Sequence, residues 1–451
     1  MYKAIIIGAG PGGYSCAIRI AQLGGTVLLI ERDLVGGICI NWGCTPSKAM
    51  ISSAKAVRSA RKLGEYGITA DNISVDFPKV AQRRDEIIAR SRTEIKNLLN
   101  QHRVELVEGN AELVDNNTVR VGEKNYQAEN IVLATGSEPL IPAFLQKVDS
   151  SIVNSNKIIT INDLPESMTI VGGGIIGLEL ATLYSYLGTK VRVVELLPRC
   201  IAIVDEEISA AITNDLIKNG VEILTEHKVL DITEGKLTVE KVATAEKIVL
   251  DSPLNLIAIG RKAVINEFEL TKLNIAHTAK GIIVDEYLRT NIPNIYSVGD
   301  STGLSILAHV AIQQGIIAAE NINNSLRKMN YSVIPAVIYT LPEVSIVGTL
   351  PKDLTDIKVY KYPFSANLRA NIEGRNQGFV KLWVSKENKL LAAQLVGEEV
   401  SEIVQSYANV IALDLKLDEV ANIIHAHPTY NEIVRNSFEY VLGRAIEYIQ
   451  P

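Results

Sequence analysis

Residues 2–31 read YKAIIIGAGPGGYSCAIRIAQLGGTVLLIE: an apolar run, a glycine turn at Gly8, Gly10 and Gly13, a helix-compatible stretch, Gly24, and a second apolar run closed by Glu31. Residues 168–195, MTIVGGGIIGLELATLYSYLGTKVRVVE, repeat this in register. Gly8, Gly10, Gly13, Ala17, Leu23, Gly24 and Glu31 correspond to Gly172, Gly174, Gly177, Ala181, Leu187, Gly188 and Glu195, each pair 164 positions apart. One GxGxxG is a weak signal; two in strand-turn-helix-strand context, each ending on an acid, predict two Rossmann crevices. In such a crevice the first glycine makes the tight turn, the second lets backbone approach a pyrophosphate, and the third packs helix on strand. The helix N-terminus attracts the phosphate, and Glu31 and Glu195 would accept hydrogen bonds from ribose hydroxyls. Glu195 would also repel a 2′-phosphate, favouring NAD over NADP, while Arg199 nearby argues the other way. The alternative is a nucleotide-free α/β fold whose glycines only turn strands into helices.

Other segments extend this architecture. IVLATGSEPL, from Ile131, predicts a buried strand and a Thr135-Gly136-Ser137 turn; NLIAIGRKA, from Asn255, repeats strand then glycine at Gly260. NIPNIYSVGD ends a strand at Gly299 and Asp300, and residues 76–101 carry helical periodicity with many charges, as in a solvated helix flanking the first domain. After about residue 333 the pattern changes to strand-like FVKLWVS and LLAAQLVG with helical stretches after Glu398 and His427, an α+β unit.

At 451 residues the chain is too long for one ordinary core and predicts about three domains. The balance of 45 basic against 51 acidic residues offers no basic field for nucleic acid. Glycines and polar residues interrupt the longest apolar runs, so no membrane span is expected. The first strand starts at Lys3 or Ala4, which predicts no signal or transit peptide in this numbering and a cytoplasmic location, or a chain already processed. Four cysteines do not make a secreted disulfide framework, and no metal site is expected.

Two of those cysteines, Cys39 and Cys44, lie five apart in GGICINWGCTPSKAM, residues 36–50. In a regular helix that spacing separates Cα atoms by roughly 8 to 9 Å, too far for a bridge, so pairing requires a distorted backbone, which Gly43 can supply. Pro46 suits the first turn of a helix running past Lys48, putting Cys44 at a positive helix end that favours thiolate. That is redox chemistry, with inert buried thiols or a static bridge as alternatives. Cys16 and Cys200 have no cysteine neighbours in sequence, and packing accounts for them. Glu179, amid apolar residues, would be costly to bury without a partner. His427 fits a proton acceptor titrating near neutrality with Glu432 behind it, although Thr429 and Glu432 also have capping-box spacing and Lys48 alone could be a solvated lysine. His425 lacks a carboxylate five residues on and ranks second.

Together, GAGPGG, GGICINWGCTPSK, ATGS, GGGIIGLEL, AIGRKA, NIYSVGD, LAHVA, YTLPEVSIVG, NLRA and HAHPTYNE span the chain and resemble the ordered motifs of the pyridine nucleotide-disulfide oxidoreductases. The likeness is greatest to the branch that oxidises protein-bound dihydrolipoamide to lipoamide with NAD+. The resemblance implies an α/β fold: two Rossmann-like dinucleotide-binding domains, FAD-binding over 1–140 and 263–332 and NAD-binding over 141–262, plus an α+β dimerisation domain over 333–451. It implies that Cys39 exchanges with substrate and Cys44 faces FAD, that Lys48 sits by the flavin paired with Glu179, and that Glu31, Ala111, Asp300 and Ala308 hold the rest of FAD. Gly8, Gly10, Gly13, Thr135, Gly136 and Ser137 belong to the same site; Gly172, Gly174, Gly177, Glu195 and Gly260 belong to NAD. His427, oriented by Glu432, would reach the cysteines of the other subunit of a homodimer, whose partner is the lipoyl-carrier domain of a 2-oxo-acid dehydrogenase or glycine cleavage complex.

Within the family, glutathione-type reductases prefer NADP, which Glu195 opposes, and mercuric reductases end in a vicinal cysteine pair that RAIEYIQP lacks. Quinone and oxidant-responsive reductases are the family alternatives; a non-catalytic flavin-binding scaffold is the alternative of another class. Ile38, Thr45, Tyr430 and Asn431 depart from the usual pattern close to the expected dithiol and bear on the identity of the thiol substrate.

Overall fold

The structure is a computed structural model that describes residues 1–146, 149–350, 353 and 355–449. Its first sheet is built around β1 (Tyr2–Ile7), whose apolar residues Ala4, Ile5 and Ile6 are fully buried. On one side β1 pairs in parallel with β2 (Val27–Glu31), and β2 with β3 (Glu105–Glu108). On the other side it pairs with Lys124–Leu133, followed by Ile295–Ser297. Between β1 and β2 runs α1 (Pro11–Gln22), so the order of strands is that of a dinucleotide-binding fold.

The second unit repeats the plan. Its sheet orders Glu222–Leu224, Lys190–Val194, Ser167–Val171, Asn255–Ile257 and Ile152–Asn154, all parallel, with the helix Ile175–Leu187 in the place of α1. Parallel sheets covered by helices require strands buried on both faces, which explains the unbroken apolar runs around each glycine turn. The C-terminal unit is a five-stranded antiparallel sheet, in the order Ala336–Ile338, Glu343–Gly348, Leu390–Gly397, Phe379–Ser385 and Ile357–Pro363. Its helices Val400–Ala412 and Glu432–Val441 pack their apolar faces into one core.

The charged segment expected to be a solvated flank forms α4 (Phe77–Gln101), capped by the Asp76 side chain. It is not wholly solvated. Phe77, Ala81, Arg84, Ile88, Ile95 and Leu99 make a buried face, and the Arg84 guanidinium, only 1% exposed, donates to the carbonyls of Ile159 and Ile161 and to Asn162. A buried cation paired with the neighbouring Asp85 carboxylate and satisfied by these carbonyls is stable where a free one would not be, so α4 ties the first unit to the entry of the second.

Candidate active site

The two glycine turns match down to individual contacts. Gly8 and Gly172 adopt φ +107° and +112°, and a Cβ on either would collide with a carbonyl, Ala134 O at 2.3 Å and Ala258 O at 2.6 Å. A Cβ on Gly13 would lie 1.8 Å from Gly8 O, and one on Gly177 1.9 Å from Gly172 O. Glycine alone allows these approaches. The acids that close each repeat also correspond: Glu31 accepts the N–H groups of Ala9 (2.7 Å) and Asp33 (2.9 Å), and Glu195 those of Gly173 (2.6 Å) and Leu197 (2.7 Å). Each carboxylate therefore first stabilises its own loop, with lone pairs left for a further donor. Arg199 donates to the carbonyls of Val204 and Ala202, which turns its guanidinium onto the loop that follows it.

The dithiol sits where the backbone breaks. Helix α2 (Gly37–Asn41) carries Cys39, Trp42 and Gly43 interrupt it, and α3 (Cys44–Ala60) begins at Cys44. A Cβ at Gly43 would come within 3.0 Å of Ile38 O and 3.4 Å of Cys39 Cα, so the close return of the chain depends on that glycine. The two thiols act on each other, and neither is inert in a core: Cys39 is half-buried and Cys44 opens onto a cleft. The bond donated by the Cys39 thiol, with the Lys48 ammonium and a backbone N–H, brings Cys44 down to about 7 against the opposing effect of burial. The same bond and burial push Cys39 up. Cys44 is thus the thiolate of the pair.

One turn along α3, Lys48 Nζ lies 2.9 Å from Glu179 Oε2. Glu179 is buried on the second glycine turn's helix, as its apolar neighbours require, and its Oε1 accepts the Tyr339 N–H at 2.9 Å. Three units of the chain meet at this carboxylate.

The cleft has a volume of about 1280 Å3. Gly8, Gly10, Glu31, Lys48, Ala111, Thr135, Gly136, Ser137, Asp300 and Ala308 line it together with Cys39, Cys44 and Glu179, while Gly13 stands behind the wall against Gly8. Ile175 and Ile176, which open the second glycine-turn helix, line its cysteine end. Two helix N-termini, at Pro11 and Ala308, face this space with no side-chain cap, so their first-turn N–H groups can take phosphate or other negative charge. Burial pushes the Asp300 carboxyl above the usual range; Ser137 donates to it, and Arg261 Nε in turn donates to Ser137 Oγ at 2.9 Å. A cleft of this volume, lined by two helix N-termini that can take negative charge, a polar wall and the dithiol, fits a flavin dinucleotide. The second turn, with Gly172, Gly174, Gly177, Glu195 and Gly260, presents another uncapped helix, Ile175–Leu187, as a nicotinamide dinucleotide requires.

His427 does not line the cleft of its own chain. Its Nδ1 is 2.9 Å from Glu432 Oε1, and its side chain is 62% exposed. Glu432 Oε2 accepts the Thr429 N–H at 2.8 Å, so half of the capping-box geometry and the orientation of the histidine coexist on one carboxylate. His425 turns to its own backbone, at Ile423 O.

The family model described as pyridine nucleotide-disulphide oxidoreductase matches residues 2–315, and the dimerisation domain of that family matches 334–438. The chain belongs to the pyridine nucleotide-disulphide oxidoreductases. It is accordingly an oxidoreductase and a flavoprotein, its cofactors are FAD and NAD, and it carries the family's dimerisation domain. It is 36% identical to the dihydrolipoyl dehydrogenase of Geobacillus stearothermophilus across 99% of this chain and 97% of that one. With the Pseudomonas aeruginosa protein of the same name it shares 34% identity, covering 98% of each. Among solved structures it is similar to the HOCl-induced flavoprotein disulfide reductase RclA from Escherichia coli, 26% identical with a TM-score of 0.86 over 97% of this chain and 99% of that one. A Cu(II) complex of RclA gives 0.87 at 25% identity, covering 98% and 99%. Among the described residues no helix is long and apolar enough to cross a membrane.

For this oxidoreductase, sequence reasoning missed two residues at the site. Arg261 adjoins Gly260 in AIGRKA and could have been found there; Tyr339 meets Lys48 only through the fold.

Proposed function

We propose that this enzyme oxidises a protein-bound dihydrolipoyl dithiol to its disulfide and delivers the electrons to NAD+. It would act as a homodimer on the lipoyl-carrier domain of a 2-oxo-acid dehydrogenase or glycine cleavage complex. The observation that carries the reading is the thiol pair across the α2–α3 break, with Cys44 at the first position of a helix and beside Lys48. Full-length relatives named dihydrolipoyl dehydrogenase support the substrate, and the acid at Glu195 with Arg199 turned to backbone supports NAD over NADP. On this reading residues 1–140 and 263–332 bind FAD, 141–262 bind NAD, and 333–451 form the dimer.

Bound FAD, held by the cleft residues from Gly8 to Ala308, supplies a two-electron relay between the dithiol and NAD+, which takes a hydride. The protein's own work is thiol exchange. His427 of the partner subunit takes a proton from the first substrate thiol, and Glu432 behind the ring stabilises the imidazolium that forms. The substrate thiolate attacks Cys39 Sγ, the Cys39–Cys44 bond breaks, and Cys44 leaves as thiolate. A low-pKa leaving thiol departs faster, which is what the helix end and Lys48 provide; the hydrogen bond from Cys39 is added only once Cys39 is itself released as a thiol. The second substrate sulfur then displaces Cys39, its proton passing to the departing Cys39 sulfur, which forms the lipoyl disulfide and leaves Cys39 as thiol and Cys44 as thiolate.

The test is steady-state NAD+ reduction with dihydrolipoamide, run beside NADP+ and other dithiols. A second reading, an oxidant-responsive disulfide reductase, draws on the likeness to RclA and on Ile38, Thr45, Tyr430 and Asn431. No lipoamide turnover by enzyme whose flavin is bleached by NADH would favour that reading; a flavin that NADH does not bleach would favour a scaffold.

A further inference from the structure

Besides its ion pair with Glu179 and its electrostatic pull on Cys44, Lys48 has a further contact. Its Nζ stands 4.4 Å from the centroid of the Tyr339 ring, within the distance at which a ring's negative face attracts a cation. Tyr339 follows the strand Ala336–Ile338 of the C-terminal sheet, and its backbone N–H holds the other oxygen of Glu179. Lysine, carboxylate and ring thus close a triangle whose corners come from three separate units of the chain. A lysine is a flexible point charge with several rotatable bonds, so the ion pair with Glu179 alone does not fix the direction of the ammonium relative to the dithiol. The ring forms a wall on one side that prefers the cation to stay.

We infer that Tyr339 is a positioning residue of the redox site: its aromatic face keeps the Lys48 ammonium turned to Cys44 and so favours the thiolate. This rests on the reading of Cys39 and Cys44 as the exchanging pair. The other charged or titratable groups acting on Cys44 are Cys39, Glu179, Arg261 and Tyr14, while Glu343 and Glu402 act on Tyr339. None of them replaces the ring face. A leucine would fill the space without attracting a cation.

The experiment uses FAD-loaded enzyme with Cys39→Ser, which retains a hydroxyl donor to Cys44, and follows the long-wavelength absorbance that a thiolate gives against an oxidised flavin as pH is varied. In that background Tyr339 is replaced by Phe, by phenylalanines of increasing ring fluorination, and by Leu. Fluorine removes the negative ring face while leaving shape and packing nearly unchanged, so the series does not depend on the Leu variant folding. Tyr339→Phe is expected to titrate with the parent, and the fluorinated rings to move the midpoint upward in steps, by about half a unit in all. A titrating band that ignores residue 339 overturns the role of Tyr339 and leaves the dithiol reading standing. No titrating band in the Cys39→Ser parent overturns both.

Discussion

The two cysteines differ in environment, and that difference predicts different behaviour on substitution. Cys44 carries the stabilised thiolate and Cys39 is the thiol pushed up by donating to it. Cys39→Ser should abolish dithiol turnover while leaving the flavin reducible by NADH, and Cys44→Ser should abolish turnover as well; flavin spectra with NADH, beside dihydrolipoamide assays, check both. In the NADH-reduced enzyme, iodoacetamide alkylation of the pair should rise through about pH 7, not the ordinary thiol range near 8.5, because the group with the lowered value gains its charge as pH rises past it. Replacing Lys48 by Met removes one of the influences that lower Cys44 and should move that inflection upward. An alkylation profile unchanged by Lys48→Met would mean that the helix end and Cys39 alone hold the thiolate.

At the scale of elements, each glycine turn is a strand end, a backbone crossing and a helix start in one unit. A Cβ at Gly177 would overlap the Gly172 carbonyl, so Gly177→Ala forces the helix Ile175–Leu187 off its strand and displaces the N–H groups that, on the proposed reading, receive the pyrophosphate of NAD. The expected result is a rise in KM for NADH of at least about tenfold, roughly 1.4 kcal/mol, with FAD still bound. Gly13→Ala, the corresponding change 164 positions earlier, should instead lose FAD, which gel filtration followed by flavin absorbance measures. This much was legible in the sequence because positive φ and close backbone approach are demands that only glycine meets, and they recur at fixed spacing. Glu179 was legible for a related reason: a carboxylate amid apolar residues needs a partner. Contacts that depend on tertiary approach were not. The neighbouring Asp85 that pairs with Arg84 is equally at home on a solvated face, and nothing local marks the carbonyls 75 and 77 residues away that bury the guanidinium, so the charges of α4 gave it the appearance of a solvated helix. Arg199 looked available for a phosphate until the loop after it folded back onto its guanidinium.

For the whole molecule, the question is how three units hold one dithiol in place. The far half of α3 answers part of it: Arg58, Lys55 and Arg375 converge on Glu398, whose side chain is 3% exposed, so the helix that begins at Cys44 is clamped to the C-terminal domain. Burial raises the Glu398 carboxyl, but Arg58 and Lys55 outweigh it and leave it below the ordinary range. A group lowered on folding stabilises above its unfolded value and loses that contribution as pH falls through its folded one, so the clamp should hold at neutrality and weaken progressively below about pH 4.3. Glu398→Gln leaves Arg58 and Arg375 without their carboxylate, while Lys55 keeps Glu399, and should cost about 3 kcal/mol at pH 7, read as a lower Tm, with the difference from the parent shrinking in acid. The remaining part of the answer lies between subunits. His427 is oriented by Glu432 yet stands exposed and outside the cleft of its own chain, so a histidine serving the cysteines is expected to come from the other copy. Subunits carrying Cys44→Ser and subunits carrying His427→Ala should each be inactive alone. In a mixed dimer, one site combines both lesions and the other combines an intact Cys44 with an intact histidine. Refolding the two variants together at equal amounts should therefore restore about a quarter of parental lipoamide turnover, since half of the dimers are mixed and half of their sites are whole. If the histidine served its own chain, every site in every dimer would carry a lesion and the mixture would stay inactive.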